Sequence, residues 1–468
     1  MKRFYQASWP LLACLLLLLG TAPARAQFLW QKAVGTATRG ETAEYMIPVA
    51  GGFVTAGQSS NTTQFDDQGL YLSKVNYIGD TLWTHRIAFA GVNIFYPKGL
   101  IVDATGNLIV SATTAPPPPT PSSLPPLQGI LIKLTPTGDT LWTRSIRNPA
   151  DATLTSLVLG NDGSYVVMGS LGTLPVLYKF SPAGTVLWTQ VVPYDNTRLG
   201  YLQTLAAVPS GYLLDTVPSV PNLPPKFITV NEAGVYQFER SCFCGALQMY
   251  RNSQGDVISA GGGLTKLTAQ GDSIWSRSYQ QFGQLLRIAR VVELPNGRYL
   301  AAGERRNGPN RDVGFIVVDG NGTKLRDTLL VRAGDENVAG VGLTPAGNYV
   351  VALSTNTGPI GFADQILFAY RNWNRLLPTR AVQVAPLAAL SAYPNPTTDM
   401  VTLEAGDGRP LIGAWTLYDV LGRVVQAGTL ADLPYGQVSL ARQPAGLYLL
   451  RVSDTSRQTT QTLRIEKA

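Results

Sequence analysis

The sequence predicts an all-β protein: a seven-bladed β-propeller followed by a small immunoglobulin-like β-sandwich. Three observations carry this expectation. A turn-and-strand unit recurs seven times, the spacing of its copies suits a four-stranded blade, and residues 392–468 abandon the unit for a different strand pattern. At 468 residues the chain is long enough for more than one domain, and a charged fraction of 14% with 47 Gly and 32 Pro fits β-structure rich in tight turns.

The repeat is clearest where its copies end, as GDTLWTHRI (79–87), GDTLWTRSI (138–146), GTVLWTQVV (184–192) and GDSIWSRSY (271–279). Its opening half, a turn and then an apolar strand, appears as GGFVTAG at 51, GNLIVSA at 106, DGSYVVMG at 162, SGYLLDT at 210, QGDVISAG at 254, NGRYLAAG at 296 and AGNYVVAL at 346. The glycines of these turns, Gly52, Gly106, Gly163, Gly211, Gly255, Gly297 and Gly347, step by 54, 57, 48, 44, 42 and 50 residues. A four-stranded blade takes about 40–50 residues. In the second copy, short strands rich in β-branched residues are separated by Thr105-Gly106-Asn107 and Thr137-Gly138-Asp139, which supply the positive φ angles of hairpin turns.

One such sheet cannot bury both of its faces alone, so the copies must stack around a ring. Trp83, Trp142, Trp188 and Trp275, recurring at one position, are expected to be the large apolar contacts between blades. Phe238 and the segment around Leu325 lack this Trp, and Pro378 occupies its register in the last copy, where proline cannot donate to a ladder. An extra Leu-Trp strand, FLWQKAV (28–34), has no unit of its own and is expected to complete the last blade and latch the ring. The tract APPPPTPSSLPP (115–126) reads as an extended, solvent-exposed insertion in a blade loop, with a recognition loop as the sharper alternative.

The chain opens with Met1-Lys2-Arg3, an apolar run from Leu11 to Leu19, and Ala24-Arg25-Ala26 before Gln27. That order is a secretory signal peptide, with cleavage expected between Ala26 and Gln27. The run falls short of the roughly 20 apolar residues that cross a bilayer, and no later segment is long and apolar enough, so the mature chain is expected to have no transmembrane segment. Cys14 has no small-residue pair before it and only more leucines behind it, unlike a lipoprotein cysteine. Three of the 37 Lys and Arg residues lie in the signal, leaving the mature chain at +4 against its 30 acids, with the bases scattered. Nucleic acid is not an expected partner.

Residues 378–391 shift to Ala, Pro, Val and Leu, which reads as a linker. The expected division is signal peptide 1–26, propeller 27–380, linker 381–391 and C-terminal module 392–468. That module contains AYPNPTTDMVTLEA (392–405), AWTLYDVLGRVVQAG (414–428) and QPAGLYLLRVSD (443–454), and ends in TLRIEKA (462–468). By pattern these are alternating strands and turns, of a size for a seven-stranded sandwich. Tyr393-Pro394-Asn395-Pro396, then Tyr418-Asp419-Val420-Leu421-Gly422-Arg423, then Gly446-Leu447-Tyr448 and a terminal basic strand, resemble the type A sorting domain of the type IX secretion system. The resemblance implies export across the outer membrane, recognition by the translocon and removal by a sortase-like peptidase, with the cargo released or held at the cell surface. Gly422 and Gly446 are expected to set turn geometry, and Leu447 to Val452 to pack the sandwich.

Catalytic chemistry is thin. The Gly-Asp/Thr-x-x-Trp ending resembles the propeller repeats of pyrroloquinoline-quinone enzymes, but Cys242 and Cys244 are separated by Phe243 rather than vicinal, and no cofactor is expected. A Cys-x-Cys pair with His85 as the sole histidine lacks the ligands of a soft-metal site and reads as two half-buried strand thiols or a strained local disulfide. His85 sits where other copies have Arg144 or Gln190 and reads as a solvent-facing variant; a Ser-His-Asp triad would have to use it. Asp319-Gly320-Asn321-Gly322-Thr323 and Asn161-Asp162-Gly163 look like calcium loops but lack a later acidic ligand, so turn chemistry is the expectation. Asp66-Asp67 has no visible partner acid for a glycosidase pair.

The expected function is therefore that of a non-enzymatic propeller, extracellular or on the outer-membrane surface, which binds a glycan or a protein. The alternative is a hydrolase or lyase acting on extracellular polysaccharide. Two or more carboxylates converging on the ring axis would favour the enzyme, and an aromatic or polar funnel without them the binder; a third reading is a structural spacer. Deleting residues 28–34 is expected to lower the melting temperature of the mature protein, and unchanged thermal unfolding would rule out the latch.

Overall fold

A computed structural model describes residues 28–61, 67–116, 126–146, 152–171, 174–193, 201–217, 225–241, 245–281, 283–308, 310–332, 334–356, 364–370, 381–383, 390–405, 411–420, 422–433, 435–455 and 459–468. Strand β1 (Phe28–Val34) comes first. Sheet 1 follows, with β2 (Gly40–Glu41), β3 (Tyr45–Val49), β4 (Gly52–Ser60), β5 (Gly69–Asn76) and β6 (Thr81–Ile87). Sheet 2 holds β7 (Asn93–Val102), β8 (Leu108–Ala115), β9 (Gln128–Leu134) and β10 (Thr140–Ile146). Sheet 3 holds β11 (Ala152–Leu159), β12 (Tyr165–Leu171), β13 (Leu174–Phe180) and β14 (Val186–Val191). Sheet 4 holds β15 (Tyr201–Val208), β16 (Gly211–Val217), β17 (Lys226–Asn231) and β18 (Tyr236–Ser241). Sheet 5 holds β19 (Gln248–Arg251), β20 (Val257–Ala260), β21 (Leu264–Leu267) and β22 (Ser273–Arg277). Sheet 6 holds β23 (Tyr279–Gln281), β24 (Gln284–Leu294), β25 (Arg298–Asn307), β26 (Asn310–Val318) and β27 (Lys324–Val331). Sheet 7 holds β28 (Glu336–Leu343), β29 (Tyr349–Thr355) and β30 (Asp364–Tyr370), and takes β1 as its fourth strand.

The arrangement is propeller-like because every sheet shares a buried apolar cluster with the next. Leu72 and Val110 join sheets 1 and 2, Leu131 and Tyr165 sheets 2 and 3, Val166 and Leu214 sheets 3 and 4, and Leu213 and Met249 sheets 4 and 5. Ile258 and Tyr299 join sheets 5 and 6, Phe315 and Val351 sheets 6 and 7, and Leu367 and Phe53 return from sheet 7 to sheet 1. The first strands, β3, β7, β11, β15, β19, β24 and β28, lie against one another in the middle. Strand β1 pairs antiparallel with β30 from Trp30 opposite Ala369 to Val34 opposite Gln365, as the orphan Leu-Trp copy led one to expect.

The Leu-Trp motif turns out to be a β-bulge on the outermost strand. In each sheet the residue before the Trp register has no partner: Leu29, Leu82, Leu141, Leu187, Gln237, Ile274 and Leu325 are skipped. A bulge twists an edge strand and discourages edge-to-edge pairing. It also brings Trp83, Trp142, Trp188 and Trp275 opposite Lys74, Lys133, Lys179 and Lys266 on the neighbouring strand, which explains why the repeat carries a lysine there.

From that position the tryptophan reaches the hairpin turn of the next sheet. A Cβ on Gly184 would lie 3.1 Å from the Trp142 ring, and one on Gly322 would lie 2.8 Å from the Trp275 ring. The lysine bridges in the same direction. Lys133 donates to the Tyr165 hydroxyl of sheet 3 at 2.8 Å and pairs with Asp103 at 2.9 Å, and Tyr165 donates to Asp103 at 2.9 Å. Lys179 pairs with Asp162 at 3.0 Å and Glu232 at 3.2 Å, and Tyr212 of sheet 4 donates to Glu232 at 3.0 Å. Burial opposes the charge on Lys179, but Asp162, Tyr212 and Glu232 outweigh it and lift the pKa above the usual lysine value.

His85 is corrected by this geometry. It is half-buried rather than solvent-facing, with Nε2 2.9 Å from the Thr137 carbonyl oxygen in the turn of sheet 2. Arg144, its counterpart in sheet 2, donates in the same way to the Gly184 carbonyl at 2.9 Å.

Beyond sheet 7, β31 (Ala381–Gln383), inside the segment expected as a linker, pairs in parallel with β27. The C-terminal module has seven strands: β32 (Leu390–Tyr393), β33 (Met400–Ala405), β34 (Leu411–Tyr418), β35 (Val424–Leu433), β36 (Tyr435–Ser439), β37 (Gly446–Asp454) and β38 (Thr459–Lys467). They form a three-stranded and a four-stranded sheet around one core that includes Leu403, Trp415, Leu450 and Ile465.

The contact between Trp275 and Gly322 can be separated from backbone strain. Gly163 and Gly322 share a left-handed φ, 79° and 78°, but nothing lies within 4 Å of a Cβ at Gly163. Gly163→Ala is expected to cost about 1–2 kcal/mol from the backbone alone, and Gly322→Ala about 1–3 kcal/mol more from overpacking. Urea unfolding of both variants checks this; equal losses would mean that the indole contact contributes nothing.

Candidate functional site

One position of the repeat changes chemistry from copy to copy, and it faces the middle of the ring. Counting back eight residues from each repeat glycine reaches Glu44, Lys98, Thr155, Gln203, Leu247, Ala289 and Ala339. These residues lie on or beside the innermost strands. Lys98, Thr155, Gln203, Ala289 and Ala339 are each skipped by the ladder, so inner bulges re-aim the chain here as outer bulges do at the rim. Two residues earlier, Tyr96, Arg287 and Asn337 share the same face by the two-residue period of a strand.

All of these positions except Ala339, which is buried in the core between sheets 7 and 1, line a cavity of about 570 Å³ that also takes in Thr42, Tyr45, Arg290, Glu304 and Ser354. A second cavity of about 420 Å³ shares Tyr45, Lys98, Thr155, Gln203, Leu247 and Arg290 with it, and continues past Met46, Leu100 and Arg251. The two make an axial channel. In the first cavity the lining is uneven: sheets 6, 7, 1 and 2 supply Arg287, Glu304, Asn337, Glu44, Tyr96 and Lys98, whereas sheets 3, 4 and 5 supply Thr155, Gln203 and Leu247.

Arg290 holds the charged side together. Its guanidinium donates to the carbonyls of Ala339 at 2.8 Å, Ala289 at 2.9 Å and Glu44 at 2.5 Å, and lies 5.0 Å from the centre of the Tyr45 ring. Sheets 6, 7 and 1 are thereby tied at the axis. Glu304, with its side chain 11% exposed, faces Arg287 at 3.7 Å and Arg311 at 3.5 Å. Burial pushes the Glu44 carboxyl above the usual carboxylate range, although Arg290 and Lys98 draw it back. Lys98, Gln203 and Asn337 make no hydrogen bond or ion pair among the described residues, so their polar atoms stand open to the channel.

The other candidates from sequence do not converge there. Asp67 pairs with Arg39 at 2.7 Å and with Arg86, while Asp66 and the Cys242-Phe243-Cys244 segment lie outside the described residues, as do the signal peptide with Ala26 and Gln27, Pro378 and most of the proline tract. Asp319 accepts from the backbone of Asn321 and Thr323 at 2.9 and 2.8 Å, and Asp162 accepts from the Ser164 backbone, the turn role expected of both. Among the described residues no cluster of three or more metal-binding side chains occurs. The axial residues were missed because each copy contributes a different residue type; the signal lay in the fixed offset from the repeat glycine.

The first sorting motif is fastened to the module's last strand, and the others close local turns. Asn395 donates from Nδ2 to the Arg464 carbonyl at 2.7 Å and accepts the Glu466 amide at 2.8 Å. Tyr393, between Leu390 and the two prolines Pro394 and Pro396, donates to Glu404 at 2.8 Å. Asp419, after Tyr418, accepts Arg423 Nε at 2.7 Å across a turn in which Gly422 has φ 78°. Tyr448 donates to the Pro444 carbonyl at 2.7 Å, beside Gly446, and Tyr448, Leu450 and Val452 are buried. Residues 391–466 form a type IX secretion system C-terminal sorting domain. A tail of this kind marks a secreted or cell-surface protein, and no helix among the described residues is long and apolar enough to cross a membrane.

No curated protein matches the sequence. Among solved structures the chain is similar to a catalytically inactive virginiamycin B lyase from Staphylococcus aureus with quinupristin, at 10% identity over 73% of this chain and 98% of that one, with a TM-score of 0.49. It is similar to the Neurospora crassa Pan2 WD40 domain at 10% identity over 76% and 99%, TM-score 0.46. PorZ, an essential bacterial surface component of the type IX secretion system of Porphyromonas gingivalis, aligns at 13% identity over 91% of this chain and 59% of its own, TM-score 0.43.

One buried acid stands at the border of sheets 4 and 5. Asp215 is 0% exposed where the second strands of sheets 1, 5, 6 and 7 carry Ala56, Ala260, Ala302 and Ala352, and its Oδ2 accepts the Ala246 amide at 2.6 Å. Burial drives its carboxyl up to about 7, against the pull of the Ala246 and Thr216 backbone. An unfolded Asp ionises near pH 3.9, so the folded state holds this proton more tightly and stability falls as pH rises from about 4 to 7. Asp215→Asn, neutral throughout, is expected to gain a few degrees of melting temperature relative to the parent between about pH 5 and pH 8. A parent-to-variant difference that stays constant over that range would reject the assignment.

Proposed function

We propose that the chain is a cargo of type IX secretion: a seven-bladed propeller (27–380), a linker (381–391) and an immunoglobulin-like sandwich (392–468), made behind a signal peptide that is removed after Ala26. The translocon reads the sandwich and a sortase-like peptidase removes it, leaving the propeller at the outer-membrane surface or free outside the cell. The propeller is a non-catalytic binding module, and its axial channel takes an extracellular glycan or protein.

One observation carries the binding reading. The packing positions of the repeat hold Trp and Lys in most copies, whereas the axial position varies and, with the residue two before it, presents the side chains of Lys98, Gln203 and Asn337 with no hydrogen bond or ion pair among the described residues. Polar groups inside a fold are ordinarily satisfied by protein or ordered water, so an unmatched set around an aromatic such as Tyr96 is the lining of a ligand site. A second reading, a polysaccharide hydrolase or lyase, draws on Glu44 and Glu304 in one cavity, the first held toward its protonated form by burial. The two arginines facing Glu304 and its covered side chain favour binding over proton transfer.

Residues 27–468 displayed against a glycan array and a library of extracellular proteins are expected to retain a ligand. Tyr96→Ala and Gln203→Ala should each weaken capture at least about tenfold, near 1.4 kcal/mol, with unchanged thermal unfolding. Capture that ignores both variants would reject the axial site, and ligand cleavage that Glu44→Gln abolishes would establish the enzyme instead.

A further inference from the structure

The charged side of the channel says more about the ligand. Resting on the reading of the channel as a ligand site, we propose that it takes a glycan bearing carboxylates, with a uronate carboxylate held between Lys98 and Arg287 and a sugar face laid on Tyr96.

Three cations line this cavity, Lys98, Arg287 and Arg290, against two acids, Glu44 and Glu304. The two cations named for the ligand are the ones left available. Arg290 is committed to three backbone carbonyls. Lys98 has no hydrogen-bond or ion-pair partner among the described residues. Arg287 has its side chain 56% exposed and faces Glu304 only at 3.7 Å, longer than the roughly 2.7–2.9 Å of a charge-assisted hydrogen bond. A ligand carboxylate would complete both. The acids offset this attraction only in part: Glu304 is shared between two arginines, and three cations face two acids in the cavity.

The neighbouring groups fit a sugar rather than a simple anion. Tyr96 and Lys98 both line the cavity from β7, and Tyr96 is 45% exposed, a flat apolar surface of the kind that pairs with a pyranose face. Asn337 on one side and Thr155 and Gln203 on the other supply donors and acceptors for hydroxyls, so the charged side orients the acid and the neutral side receives the rest of the ring.

The test uses polygalacturonate, alginate and hyaluronan, each beside its carboxyl-reduced counterpart, which keeps the sugar stereochemistry and loses the charge. Residues 27–468 are expected to hold at least one uronate polymer at least about tenfold more tightly than its reduced form, with affinity falling as salt rises. Lys98→Gln and Arg287→Gln should each remove most of that preference with unchanged thermal unfolding. Reduced polymers held equally well, or charge variants with full preference, would overturn the carboxylate assignment while a Tyr96-dependent neutral glycan would leave the channel as the site. Loss of no ligand in Tyr96→Ala would overturn both.

Discussion

The whole ring depends on the contact each sheet makes with the next one. A single four-stranded sheet of this chain has apolar residues on both faces, and neither face can be left to water. The solution is a Trp and a Lys placed opposite each other across an outer bulge, with the indole against a glycine turn and the ammonium against a tyrosine of the adjoining sheet and an acid of its own. The apolar contact supplies most of the gain, since a large aromatic buries more surface than any ion pair stabilises. The lysine network adds direction, because a buried ammonium is tolerable only where its partners are in place.

That construction frees the inner strands for another purpose. Once the rim and the interfaces hold the ring, the residues beside the axis carry little of the packing, and each copy can change there without loss of the fold. Inner bulges turn this freedom into a site by aiming one side chain per sheet at the middle. The closure of the ring matters for the same site: β1 and β30 bring sheets 7 and 1 together, and Arg290 then bonds to a carbonyl on each of them. The charged side of the channel therefore straddles the seam and exists only in the closed molecule.

Much of this was legible in advance because repetition is a property of the chain. The spacing of the glycines announced sheets of one size, and the orphan FLWQKAV declared a strand without a unit. The tail was legible for a different reason, since its motifs are local turns such as Asp419 to Arg423 and Pro444 to Tyr448, whose hydrogen bonds close within a few residues. His85 shows where reading by register failed. Its position was assigned to solvent by comparison with polar counterparts, but Arg144, one of them, is itself bonded to the turn of the next sheet, and the turn that His85 meets is some fifty residues away in the chain.

The sequence by itself determined the strands, their turns, the recurrence of a tryptophan at one position of the repeat, and the separate export tail, because each of these is set by residues near one another along the chain. The tertiary structure alone decided which residues share the axis. Glu44, Lys98 and Gln203, alike in nothing but their offset from a glycine, and Arg287, two residues before that offset, are far apart in sequence, and only closure of the ring places them in one cavity, where burial and neighbouring charge set what each can do.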